Sequence, residues 1–267
     1  MLWLLVLFIV PMLAMASLSL STGSSIEGFR LTWRFANFSE ALSANGEILV
    51  RSLRNGVIVT ALGLALSYPV AYWIAFYGGR FKSVFLLLLL LPFFISFVIR
   101  TVSWSFILSD QGIVFGTLKN LGVLREEFSV IGSTLAVIAG ITYNLLPFTI
   151  LPLYVSLEQI DKRLVEAAQD LYASRARAFA KVVFPLSLPG VFAAVLLTSI
   201  PAIGDYVNAQ VLGGPGTTMI GNIINSEFLR TREYSRGASL AFLLMAVMIV
   251  GAVVYARLLG TEEVTAR

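Results

Sequence analysis

The sequence predicts an all-α, polytopic membrane protein with six transmembrane helices. Three observations carry that prediction. Of 267 residues, 58% are hydrophobic and only 13% are charged, against about 25% charged in soluble domains. The apolar residues cluster into six runs, each near or above the ~20 residues that a helix needs to cross ~30 Å of hydrocarbon. Spanning strands would alternate over about 10 residues, and no such pattern occurs.

The runs follow in order. The first covers 1–20. No basic residue precedes it and no clear small-x-small site follows, so it reads as a retained span rather than a signal peptide. The second is Gly56–Gly78 and carries Pro69. The third is Val84–Leu108 and includes Arg100. The fourth is Val130–Leu157. The fifth is Leu186–Val207, interrupted by Pro201 and Gly204. The sixth is Ala238–Leu259. Between them lie long loops at 21–55, 109–129 and 208–237, the first with an expected interfacial helix Phe38–Leu53. No internal repeat or low-complexity linker breaks the chain. The whole of 1–267 therefore reads as one domain.

With six spans both termini share a side. Arg80, Lys82, Lys162, Arg163, Arg175, Arg177, Lys181, Arg257 and Arg267 fall on it. Arg30, Arg34, Arg51, Arg54, Lys119, Arg125, Arg230, Arg232 and Arg236 fall on the other, an equal number. The first set is packed into shorter loops near span ends, where positive charge fixes orientation. The segment 157–185 and both termini are therefore expected in the cytoplasm.

Composition also excludes chemistry. The chain has no Cys and no His, which removes disulfides, thiolate ligands, the usual general base and the commonest metal ligand. No catalytic residue and no metal site are expected. The net charge of +4 suits contact with anionic lipid and forms no stripe for nucleic acid.

The hydrophilic stretch 157–185 is wedged between two spans. Leu164, Ala167, Ala168 and Leu171 recur at i, i+3, i+4 and i+7, one apolar face of a short helix. Ser174 can cap a second helix, Arg175–Val183, which Pro185 ends, and Pro189 suits the first turn of the fifth span. The stretch can be gripped by a soluble partner, or it can be a solvated loop whose amphipathic helix lies on lipid.

These residues resemble the EAA loop of permease subunits of ATP-binding-cassette importers. That motif reads Glu-Ala-Ala, three residues, Gly, nine residues, Ile, one residue, Leu-Pro. Here stand Glu166-Ala167-Ala168, Tyr172, Val182 and Phe184-Pro185, at the same spacing. Tyr172 for Gly is the notable departure. The rest of the chain is similar to the spermidine/putrescine-type branch. The matching stretches are Phe8–Pro11, Ser67–Ala71, Pro92–Trp104, Ile200–Asn208 and Leu212–Pro215.

The resemblance implies a type I importer fold and a division of labour. Two permease subunits, usually different chains in this branch, form the pathway. A homodimer of cytoplasmic ATPase subunits grips the EAA helices, through Glu166, Ala167, Ala168, Asp170, Tyr172 and Pro185 here. An external binding protein delivers the solute. This chain has no Gly-x-x-x-x-Gly-Lys-[Ser/Thr], so ATP and Mg belong to the partner and no cofactor is expected on the chain itself. Relatives that import other small solutes or metal ions share parts of the pattern.

Pathway candidates are polar or aromatic residues at membrane depth. Asp205 either attracts a cationic amine or caps a helix end and pairs with an Arg. Trp104, Tyr143 and Tyr206 either offer ring faces to an amine or anchor the chain at the interface. Asn144 and Glu227 are further candidates. Arg100 is expected to snorkel or to pair with Asp110 or Asp205. Gly213–Gly216 lacks the Lys and the strand–helix setting of a phosphate cradle and reads as an outer turn where a binding protein docks. An ion-driven secondary transporter would show more spans and repeats. An intramembrane enzyme would need paired Asp or Ser–Lys inside spans. A pathway-free scaffold would not need the polar lining.

Overall fold

The computed structural model describes residues 2–24, 28–125 and 127–259. Its helices are α1 (Leu2–Ser19), α2 (Ala36–Tyr77), α3 (Lys82–Leu90), α4 (Phe97–Leu108), α5 (Ile113–Asn120), α6 (Thr134–Glu158), α7 (Lys162–Asp170), α8 (Arg175–Ala178), α9 (Phe184–Gly204), α10 (Val207–Leu212), α11 (Ile220–Ser226) and α12 (Tyr234–Leu259). A small antiparallel hairpin, β1 (Ser21–Ser24) with β2 (Gly28–Leu31), departs from the all-α expectation. Met1 and residues 260–267, with Arg267, lie outside the described residues.

Among the described residues four stretches are long and apolar enough to cross a bilayer: Ala36–Tyr77, Thr134–Glu158, Arg175–Gly204 and Tyr234–Arg257. A bent pair, Gly79–Phe94 and Phe97–Asn120, makes up to five. The expected first span is a shorter apolar helix, Leu5–Ser19.

The elements differ from expectation where backbone chemistry intervenes. The interfacial helix and second span are one helix of 42 residues, about 63 Å at ~1.5 Å per residue. Nothing between Phe38 and Tyr68 breaks it: there is no Pro, Arg51 pairs with Glu47 one turn earlier at 3.0 Å, and Ser52 and Asn55 are buried. The helix stops at Gly78-Gly79, where Gly79 takes φ +51°, a conformation open to glycine without steric cost.

The third span is broken. Pro92 lacks the N–H that would continue the helix; Leu91–Phe94 tightens to a 3₁₀ turn and Ile95 is extended. The chain turns by 88° before α4.

Pro185 does not end a helix. Arg175–Gly204 runs unbroken over 30 residues. The turn Phe179–Val183 widens to π geometry, with the Phe184 N–H donating to the Phe179 carbonyl. The ring of Pro185 would clash with the i−4 carbonyl of a regular helix, and the widened turn gives it room. Pro189 and Pro201 are also carried inside α9. The stretch 208–237, expected as a loop, contains α11 and a second π turn, Glu227–Thr231, and 109–129 contains α5. The fourth and sixth spans stand as expected; Ser133 caps α6 by accepting from the Ala136 N–H at 3.2 Å.

Contacts divide the chain into two units. One comprises Met1–Leu53, Ile203–Tyr206 and Thr218–Arg267. Its core is Ala41, Ile203, Ile220, Leu240 and Leu244. The Asn37 amide donates to the Ser19 and Ser21 carbonyls at 3.0 Å each, so the end of α1 is tied to the start of α2.

The other unit comprises Arg54–Ala202 and Val207–Thr217. Its core is Ala71, Ala75, Ile150, Leu153, Leu157, Ile160, Val183 and Ala194. Small residues bring helices close, the usual device where lipid removes the hydrophobic drive for association. The Thr149 and Thr198 hydroxyls bond at 2.9 Å, and the Tyr68 and Ser187 hydroxyls at 2.7 Å. Gly190 lies against α6, and a Cβ there would stand 2.8 Å from the Pro152 carbonyl and closer still to Ser156.

Gly190→Val is therefore expected to push α9 off α6. It should destabilise by roughly 1–3 kcal/mol, as overpacking does. Thermal unfolding in detergent checks this, and an unchanged Tm contradicts the close crossing.

Candidate functional site

The segment between α6 and α9 is built on capped turns. Asp161 caps α7 by accepting from the Arg163 N–H at 2.9 Å, and Ser174 caps α8 by accepting from the Arg177 N–H at 3.3 Å. Each satisfies a helix-start donor that would otherwise be free. Lys162 donates to the Phe76 carbonyl at 2.9 Å and lies 5.8 Å from the centre of the Phe76 ring. Val165 and Phe179 pack on the apolar core. Tyr72 stacks on Phe76 at 4.7 Å and meets Phe179 edge-on at 5.6 Å. Beside them, Lys82 is paired with Glu158 at 2.7 Å. The helix α7 is thus fastened to the end of α2 by Lys162 and to the core shared by α2, α6 and α9 by Val165.

The outward face of α7 is bare. Glu166, Ala167 and Asp170 are exposed, and Ala168 is half-buried. Leu164 is 48% exposed and Leu171 82%. Of the apolar face foreseen from spacing only Ala168 is half-buried, while Leu164, Ala167 and Leu171 are left uncovered; the residue that turns inward, Val165, lies outside that face. Under the helix lies a cleft of about 250 Å³ lined by Tyr72, Phe76, Glu166, Gln169, Arg175 and Phe179. Pro185 is exposed, just after the π turn.

Tyr172 closes α7 in the left-handed region at φ +61°. Its N–H donates to Gln169 at 2.9 Å and the Ala173 N–H to Ala168 at 3.1 Å. These two bonds are the Schellman pairing, whose left-handed position is ordinarily Gly. A non-glycine residue there costs about 1–2 kcal/mol. The Tyr keeps the turn that Gly would make, at that energetic disadvantage.

Within the same unit, α4, α6 and α10 share a buried polar knot. The Asn144 amide donates to Thr101 Oγ1 and to Asn208 Oδ1, each at 3.0 Å. All three residues are at most 2% exposed. Asn144 is thereby occupied in holding helices together. Next to it, Tyr143 stacks with Phe93 at 5.7 Å and meets Trp104 edge-on at 5.2 Å.

The Arg100 guanidinium lies 4.3 Å above the Phe93 ring, a cation–π contact. Arg100 is 9% exposed, and its Nε and Nη1 have no hydrogen-bond partner among the described residues. It neither snorkels nor pairs with Asp110, which instead faces Lys119 at 3.3 Å. The broken third span supplies Phe93 as its neighbour.

Asp205 and Tyr206 fall in the other unit, in the non-helical step between α9 and α10. Asp205 is half-buried. Tyr206 is 43% exposed and its carbonyl accepts from the Asn222 amide at 2.8 Å. Glu227, in the same unit, is occupied by Thr231 at 2.8 Å and Arg236 at 3.9 Å. The Gly213–Gly216 turn is closed by Thr217, whose hydroxyl accepts from the Gly214 N–H at 2.8 Å.

Sequence reasoning missed Lys162 as the fastening of α7. It also missed Thr101 and Asn208 as partners of Asn144. A polar residue in each of three apolar helices was the available signal for the knot.

Long apolar helices, a bent span and a fastened hydrophilic segment define a multi-pass helical membrane protein. The chain belongs to the family of binding-protein-dependent transport system inner membrane components, whose profile matches residues 63–260. That family is made of non-catalytic membrane subunits. The chain is 34% identical over 258 residues to the spermidine/putrescine transport system permease protein PotB of Haemophilus influenzae, covering 96% of this chain and 90% of that one. It is equally 34% identical to PotB of Escherichia coli K12, covering 96% and 93%. Its fold is shared with a bacterial ABC transporter that imports the acidic polysaccharide alginate, at TM-score 0.75 and 18% identity, over 98% of this chain and 92% of that one.

Asn144→Leu is expected to destabilise by roughly 1–3 kcal/mol, because Thr101 and Asn208 each lose a buried partner. A fall in Tm of the detergent-purified protein checks this; a Tm at or above wild type contradicts the knot.

Proposed function

We propose that this chain is one of two permease subunits of an ATP-driven importer for a small cationic solute, spermidine or putrescine. The observation that carries the proposal is the fastened α7 helix with its bare outer face. A helix bound to the end of α2 and to the apolar core yet uncovered on the far side can transmit a push from a soluble partner. The EAA spacing agrees with that role, and 34% identity to PotB over nearly the whole chain supports the polyamine assignment.

In this reading a homodimer of cytoplasmic ATPase subunits binds α7 through Glu166, Ala167, Ala168, Asp170 and Tyr172, with Pro185 at the π turn behind it. ATP and Mg sit on those subunits. A second permease chain completes the pathway and an external binding protein delivers the solute. The chain acts as a single permease domain with α1 and the bent pair as the first and third of six spans. Both termini and α7 face the cytoplasm of an inner membrane.

Asp205, Tyr206, Trp104, Tyr143 and Asn144 are assigned to the translocation pathway. A carboxylate and aromatic faces suit an amine. Asn144 contributes by fixing the helix that carries Tyr143.

Uptake of radiolabelled spermidine and putrescine into vesicles holding the whole complex tests this. Both should accumulate only with ATP, and Glu166→Lys should lower uptake by about tenfold, the effect of losing ~1.4 kcal/mol of interaction. Wild-type uptake by Glu166→Lys contradicts the coupling role. Preference for anionic solutes over both amines contradicts the substrate assignment.

A further inference from the structure

We infer that Tyr172 is an aromatic anchor through which this permease selects its own ATPase subunit, inserting its ring into an apolar pocket on that partner. The inference rests on the coupling role proposed for α7 and names the residue that gives it specificity.

The turn after α7 needs a left-handed residue, and Gly would supply one without strain. The chain holds Tyr there instead, at φ +61°. Nothing within the described residues recompenses it. The side chain is 96% exposed, and neither its hydroxyl nor its ring has a partner among the described residues. An ordinary surface residue at this position would be Gly or Asn. The ring is therefore held out, on a hydrogen-bonded turn, at the tip of a helix fastened to the bundle through Lys162 and Val165.

Such a ring has few rotatable bonds and a large apolar area, which suits it to be an interface anchor. Leu171, 82% exposed beside it, and Leu164 extend the apolar tip. Exposed Glu166, Asp170, Arg163 and Arg177 surround it with both signs of charge. An apolar centre inside a mixed polar rim is the make-up of a protein–protein contact. A helix lying on anionic lipid would instead gather Lys and Arg on its polar face, and Glu166 and Asp170 would be repelled there. The expected occupant is thus a soluble ATPase subunit with a pocket for one ring.

The test uses the assembled permease pair in nanodiscs, titrated with its purified ATPase subunit. Tyr172→Gly keeps the turn and removes the ring; it should weaken binding by about tenfold or more, the range of an aromatic hot spot, with Tm no lower than wild type. Tyr172→Phe should stay within about threefold of wild type. Should Tyr172→Gly lower Tm, Tyr172→Asn, which tolerates the left-handed region, decides in its place. Wild-type binding by the ring-less variant overturns the anchor. So does a loss seen in phosphatidylglycerol nanodiscs and not in phosphatidylcholine ones, which assigns the ring to lipid.

An Ala167→Cys probe separates the two levels of the argument. Absence of its cross-link to the ATPase in the otherwise wild-type complex overturns the coupling role and the anchor with it. A full cross-link together with undiminished binding by Tyr172→Gly overturns the anchor alone.

Discussion

Lys162 donates to the carbonyl of Phe76 and Val165 enters the apolar core, and these two contacts bind α7 to the ends of the longer helices. Everything proposed about coupling depends on that fastening. A helix of 9 residues is too short to be stable alone in water. Its caps and its seat on Tyr72, Phe76 and Phe179 hold it in place. Phe76 is near the end of α2, so the coupling proposed above acts on a helix of 42 residues. The Lys82–Glu158 pair links the adjacent ends of α3 and α6 in the same unit.

The membrane imposes a second constraint, that backbone polar groups find partners inside the protein. The irregular steps obey it in different ways. At Pro185 the chain widens to a π turn, and the Phe184 N–H finds the Phe179 carbonyl. At Pro92 it tightens to a 3₁₀ turn and bends by 88°. The bend sets Phe93 beneath Arg100 and against Tyr143. The Thr101–Asn144–Asn208 knot ties α4, α6 and α10 beside this aromatic group. Neighbouring residues therefore do different things: Tyr143 packs on Phe93 and Trp104 while Asn144 holds the helix.

Much of this was legible in the sequence, and the failures share a cause. Apolar run length placed α6 and α12, and the Ser174 cap and the EAA spacing placed the hydrophilic segment. Proline was over-read. Pro185 reads as a helix end and Pro201 as an interruption, yet π geometry carries the helix past Pro185 and α9 runs through Pro201 to Gly204. Conversely, the polar stretch around Arg51–Asn55 suggested a break where no residue forbids a helix. With no Pro there and Arg51 paired with Glu47 one turn earlier, α2 runs on, and Ser52 is absorbed by bonding to the Ile48 carbonyl and the Ile220 N–H. Periodicity picked out Leu164, Ala167, Ala168 and Leu171 and passed over Val165, the residue that packs on the core. The Arg100 environment was missed because its partner is the face of Phe93 rather than a carboxylate, and the bend that brings them together is a tertiary event. Tyr172 was recognisable as a departure from the motif; only the backbone angle showed that the turn persists in spite of it.

The central claim is that α7 and the end of α2 move as one piece when the ATPase subunits close. Spin labels at Asp170 and Tyr77, placed in the assembled complex, report that distance directly by pulsed electron resonance. The account predicts one distance distribution, unchanged between nucleotide-free and ATP-bound states, and shifted or broadened by Lys162→Met. A distance that changes with ATP in the unmutated complex would contradict it, because α7 would then move independently of the helix it is held to drive.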